Sequence, residues 1–248
     1  MRAKEIITEI EKIYKSDYVG GKGSLDVSAN LNRTKPLPGG SGMVYRTDDN
    51  GMRLKIEIID PKPKNFVGRL GEHGLPIGKL ELLKYKNGPF KNAYQVNTIT
   101  TNEDYRGGGY ALALYGIALS ILKVTLISGS SQTPGGRKNW LNLASIPGVE
   151  VKGAVALGDY ELATNKNDYD SPYMQAVGKR ENQQAEERID YIMQTGAQYL
   201  GDGGGHKWFA FDVVGGNGEL APAVKNALTQ IYNGKRYDPM LYAQWTGS

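Results

Sequence analysis

Residues 110–122 read YALALYGIALSIL, a run with no face suited to water. A helix built from it must be enclosed on all sides. It is too short to cross a bilayer, which takes about 20 apolar residues. The chain must therefore sandwich this helix between its own layers. Directly before it stand Arg106, Gly107, Gly108 and Gly109. Before those lies AYQVNTITT (93–101), rich in the β-branched residues that suit a strand. Strand, glycine turn and buried helix in succession point to a layered α/β fold.

The flanking sequence fills in that fold. Residues 3–16 carry Ile6, Ile7, Ile10, Ile13 and Tyr14 at helical spacing. Residues 17–51, rich in Gly, Pro, Ser and Asn, read as a long irregular segment that could cover a site. MRLKIEII (52–59) alternates like a half-buried strand and ends at the prolines of DPKPK. LPIGKLELLKY (75–85) is a second strand with a bend at Gly78, and Asn87-Gly88-Pro89 is a turn. After the apolar helix come a short strand (124–127), a loop (128–136), a short helix (137–144) and a strand (149–157). A polar linker (158–171) leads to a mostly helical stretch (173–200) and a glycine loop (201–205). A strand (207–214), a helix (219–232) and a terminal strand (240–245) complete the series. The expected organisation is an N-terminal helix and loop (1–51), a core (52–157) and a C-terminal extension (158–248) that returns a strand to the sheet.

Composition narrows the chemistry. The absence of cysteine excludes disulfides, cysteine nucleophiles and thiolate metal sites. Only His73 and His206 are present, and their spacing suggests no metal site. The opening MRAKEIITEIEKIYK carries carboxylates throughout and lacks the apolar core of a signal peptide. A cytoplasmic protein with no membrane partner is expected. A net charge of +4 and a pI of about 9.0 favour a polyanion only mildly, whether nucleic acid or a phosphorylated cofactor.

The glycine turn is the strongest functional signal. The first N–H groups of a helix have no internal partner, and its dipole adds positive potential there. Glycines allow a ligand close to the backbone, so the turn suits a pyrophosphate. No Lys-Ser or Lys-Thr follows, as a P-loop requires. The Rossmann fingerprint fits only in part, because the acid expected about 20 residues on is missing.

Arg106-Gly107-Gly108-Gly109-Tyr110-Ala111 does match R-x-x-G-x-A. With VNTITT before it, NEDY as a short acidic connector and an apolar helix after it, this stretch resembles motif A of the GNAT acyltransferase superfamily. The likeness covers roughly residues 52–157. It implies a mixed, mostly antiparallel α/β (α+β) sheet flanked by helices. It also implies acyl transfer from acetyl-CoA or another acyl-CoA to an amine-bearing small molecule or macromolecule. By resemblance, the amides from Arg106 through Gly107, Gly108, Gly109 and Tyr110 to Ala111 would hold the diphosphate. The edge at Ile99, Thr100 and Thr101 would pair with the pantetheine arm. The acyl carbonyl would lie where 97–101 splays from 124–128, with a backbone N–H near Ile99 for the oxyanion.

The sequence also departs from the family. The Glu that many members place early in the strand is missing, since Ala93, Tyr94 and Gln95 stand there. The helix RKNWLNLA offers Trp140 where many carry a Tyr. No catalytic residue carries over, and Glu57, Glu81, Glu103 and Asp104 are only substitutes. Arg137 and Lys138 could meet cofactor phosphates. That loop and the closing RYDPMLYAQW resemble acyltransferase-like proteins of bacteriophages, which would place the protein in a host cytoplasm. A GNAT-fold binding protein without turnover and a nucleic-acid-directed modifier remain alternatives, and oligomerisation is open.

Overall fold

The computed structural model describes residues 29–63, 73–86, 88–129, 134–158, 186–203, 206–212, 221–231 and 240–247. The helix expected at 3–16, most of the linker expected at 158–171 and the helix expected from 173 to 185 lie outside them. The chain divides into two compact units. The first comprises Met1–Tyr85, Asn92–Val151 and Ala243–Ser248, and the second Lys86–Lys91 and Lys152–Tyr242.

In the first unit, short strands β1 (Ala29–Asn30) and β2 (Lys35–Pro36) precede β3 (Val44–Asp49), β4 (Arg53–Asp60), β5 (His73–Lys84) and β6 (Tyr94–Thr101). Strands β2 to β6 pair antiparallel in chain order, while β1 pairs with the start of β5. Strand β7 (Leu126–Ile127) joins β6 in parallel. The sheet is thus mixed and mostly antiparallel.

Strand β3 corrects the reading of 17–51 as irregular. Its VYRTDD has little apolar pattern of its own, and its order comes from pairing with β4. The hairpin is set by short polar side chains. Asp49 Oδ1 accepts the Gly51 N–H at 2.8 Å, and Asn50 Oδ1 accepts those of Met52 and Arg53 at 3.1 and 2.8 Å.

Two irregularities shape the ladder. Opposite Ile58 and Ile59, strand β5 offers Gly78 and Pro76, so Ile77 is an extra residue and bends the strand beside Gly78. Opposite Glu81 and Leu82, strand β6 offers Thr98 and Val96, so Asn97 bulges. Helix α1 (Tyr110–Gly116) packs on β4, β5 and β6 and runs on as a π-helical turn, Ile117–Ile121. Leu112 to Ser120 are all buried, as their all-round apolarity requires. The Ser120 hydroxyl meets its need by donating to the Gly116 carbonyl at 2.6 Å. Helix α2 (Pro134–Leu143) begins earlier than the expected 137 and seats Trp140 against Tyr115 with ring centroids 5.7 Å apart.

In the second unit, β8 (Val149–Gly158, its first three residues in the first unit) pairs antiparallel with β10 (His206–Asp212), which pairs with β9 (Gln198–Gly203). A helix α3 over 186–193 and α4 (Pro222–Ile231) complete it. Val155, Leu157, Ile192, Ala197, Phe209, Phe211, Val224 and Leu228 form its core. Strand β9 corrects two expectations, a helix through 200 and a loop over 201–203. Pairing with β10 overrides weak local preference there, and a register irregularity between Trp208 and Phe209 accommodates the glycine-rich strand. The last strand, β11 (Met240–Trp245), forms where expected. No helix among the described residues is long and apolar enough to cross a membrane.

Candidate functional site

Strands β6 and β7 pair only at Tyr94–Leu126 and Gln95–Ile127. Beyond Gln95, among the described residues, β6 pairs with β5 alone, and Ile99, Thr100 and Thr101 stand opposite Leu80, Lys79 and Gly78. These three residues are half-buried, while Asn97 and Thr98 at the bulge are exposed. The parallel pair therefore joins at one end of β6, and the glycine turn follows the other end.

The turn is built stepwise. The Asn102 amide donates to the Ile77 carbonyl at 2.8 Å, tying the end of β6 to the bulge in β5. Asn102 Oδ1 accepts the Asp104 N–H at 3.1 Å and starts a 3-10 turn over Glu103–Tyr105. Arg106 closes that turn, its amide donating to the Glu103 carbonyl at 3.2 Å. Gly107 and Gly109 then adopt φ of 79° and 76°, a left-handed backbone that other residues take only with strain. Gly109 caps α1 without a side chain, so no hydroxyl or carboxylate occupies the helix start. Among the described residues, no backbone acceptor takes the amides of Gly107 or Gly109. Gly107 and Gly108 are exposed, Tyr110 and Ala111 half-buried, and Gly109 buried. The Tyr110 ring meets Tyr105 edge-on at 6.1 Å.

Several of the charged candidates are already paired. The Arg106 guanidinium pairs with Glu103 at 3.2 Å. Glu57 is buried and receives Arg46 at 2.6 Å and Lys55 at 2.8 Å. Burial alone would push its carboxyl up, but the hydrogen bonds from Lys55 and Arg46 win and hold it below the usual range. Glu81 takes Lys79 at 2.6 Å, and that bond leads in lowering its carboxyl. Tyr115 is 1% exposed and Trp140 lies in the core. Arg137 is half-buried and Lys138 exposed on α2. His206 is exposed on β10 of the second unit.

Sequence reasoning missed a cleft of about 920 Å³ in the first unit. Asp60, Asn102, Asp104 and Tyr105 line it, together with Ser41 and Lys62. Two of its lining residues form a part-buried pair in which the Tyr105 hydroxyl donates to Asp60 Oδ2 at 2.7 Å. Burial first, then that bond and the Asp60 charge, push the Tyr105 phenol up to about 12. The only sequence signal was an acid directly before a proline-rich break, which marks a strand end and not a site. None of the residues expected to bind coenzyme A lines this cleft.

Compared with protein-family models, curated proteins and solved structures, the chain matches none of them.

Proposed function

We propose that the chain is an acyl-CoA-dependent N-acyltransferase of GNAT-like architecture, moving an acyl group such as acetyl to an amine. One observation carries this reading. A parallel strand pair joins at one end only, and a left-handed glycine turn with uncapped helix amides follows the other end.

The residues present fit the cofactor. No atom lies within 4 Å of where a Cβ on Gly107 would stand, so a diphosphate could approach there, whereas a Cβ on Gly108 would meet the Tyr110 ring at 2.7 Å. Arg106, Gly107, Gly108, Gly109, Tyr110 and Ala111 would surround it. Ile99, Thr100 and Thr101 would hold the pantetheine arm along the free side of β6, as sheets accept an added strand. When bound, the coenzyme supplies a thioester carbonyl. Acyl transfer from it would form a C–N bond to the amine and break the C–S bond, with the amine's proton going to water and the thiolate leaving. The chain's part is placement, which by itself can contribute about 7–11 kcal/mol, and a backbone N–H beside the Asn97 bulge for the oxyanion.

A second reading, a binding protein of the same architecture without turnover, draws on a different observation. Glu57, Glu81 and Glu103 are each held by a cation, so none stands ready as a base.

Thermal unfolding with acetyl-CoA tests both readings. At 100 times its dissociation constant a ligand adds about 2.7 kcal/mol, a rise of roughly 5–10 °C for a chain of this size. Arg106→Ala and Gly109→Val should remove the rise while the proteins stay folded. No rise at millimolar coenzyme with folded wild type overturns the cofactor assignment. A rise without acylation of any amine in a panel selects the second reading.

A further inference from the structure

We infer that the cleft beside Tyr105 is a binding site for a small organic cation, an ammonium or guanidinium on an apolar body. The inference stands apart from the transferase reading. A strand advances about 3.3 Å per residue, so Asn102 lies some 16 Å along the chain from the Asn97 bulge. The cleft is therefore not the place where the thioester would react.

Its chemistry selects the charge of the ligand. Among the described residues, two carboxylates, Asp60 and Asp104, and one ammonium, Lys62, line it. Asp60 is only 7% exposed and is held in place from two sides. The Tyr105 hydroxyl donates to Oδ2 at 2.7 Å, and the Lys62 amide donates to Oδ1 at 2.8 Å. A carboxylate offers about four acceptor positions, so each oxygen keeps one for a ligand. With its phenol pushed up to about 12, Tyr105 stays a neutral donor at ordinary pH and adds no negative charge. An anion would meet net repulsion. A metal ion is disfavoured too, because no group of three or more metal-ligating side chains gathers among the described residues.

The remaining wall selects the body of the ligand. Met43, Pro61, Pro63 and Leu75 present apolar surface. Tyr105 contributes a ring that can face a cation. The volume, about 920 Å³, lies within the range that encloses a compact organic molecule.

The test uses three probes that share one body and differ in charge: phenylbutylamine, phenylbutanol and phenylbutyrate. Calorimetric titration of the full chain at pH 7 should find the amine binding at least tenfold tighter than the alcohol, with no binding of the carboxylate. Asp104→Asn lies at an exposed position and should fold normally. It should weaken the amine several-fold and leave the alcohol unchanged. Asp60→Asn keeps an oxygen for Tyr105 and should abolish the preference for the amine. Should that variant misfold, amide shifts in the wild-type NMR spectrum decide, with changes expected at Ser41–Met43, Asp60 and Lys62. Equal affinity for amine and alcohol, binding of the carboxylate, or shifts confined to other residues would each overturn the inference.

Discussion

Glu57 illustrates how a single carboxylate organises one face of the sheet. It sits on β4, opposite Arg46 on β3 and Lys79 on β5. Its side chain is 4% exposed, whereas those of Arg46 and Lys55 are 30% and 25% exposed. Removing the central charge takes one partner from each of two half-solvated cations, so Glu57→Gln should cost about 2 kcal/mol, below the range for a fully buried pair. The pH dependence has a definite sign. A carboxyl held low in the folded state stabilises above its unfolded value of about 4.3 and loses that contribution as pH falls through its folded value. The gap between wild type and Glu57→Gln in urea unfolding should therefore be full at pH 7 and close below about pH 4. A gap that persists in acid would mean the side chain acts by shape alone.

At the scale of elements, the glycine turn and the helix it launches make opposite demands. Gly107 has open space around it and only its left-handed φ to defend. Gly107→Ala should cost about 1 kcal/mol in backbone strain and leave the fold intact. Leu114 is fully buried on α1, and Leu114→Ala should cost about 3 kcal/mol through the cavity it leaves. Urea unfolding of the two variants measures the contrast, and reversed magnitudes would refute it. The same contrast explains what could be read from the chain. β4, β5, β6, α1, α4 and β11 were legible because each carries its own apolar pattern. β3 and β9 were not, because VYRTDD and QYLGDG gain order from a neighbouring strand and not from their own periodicity. The turn at Arg106–Ala111 was legible because glycines announce backbone shape. The cleft was not, since Ser41, Asp60 and Tyr105 are scattered in sequence and converge only through the β4–β5 bend and the 3-10 turn. The π-helical turn after α1 left no sequence signal that distinguishes it from ordinary helix.

For the whole molecule, the notable feature is how the chain is shared out. It passes between the two units after Tyr85, Lys91, Val151 and Tyr242. The connection from β5 to β6, Lys86–Lys91, is counted with the second unit, where Phe90 meets Trp208 at 5.5 Å and Tyr242 at 5.1 Å. A chain ended after Val151 keeps the hairpin but deprives Phe90 of both aromatic partners. Such a fragment should elute from a sizing column as self-associated material, and Phe90→Ser should return it to a single small species. If the unmodified fragment ran as a clean monomer, the shared connection would have no structural weight. No single cut releases either unit intact, because each unit is made of separate stretches of the chain. A graft of the second unit onto another scaffold would have to bring Lys86–Lys91, which lies within the first unit's span of sequence, along with Lys152–Tyr242.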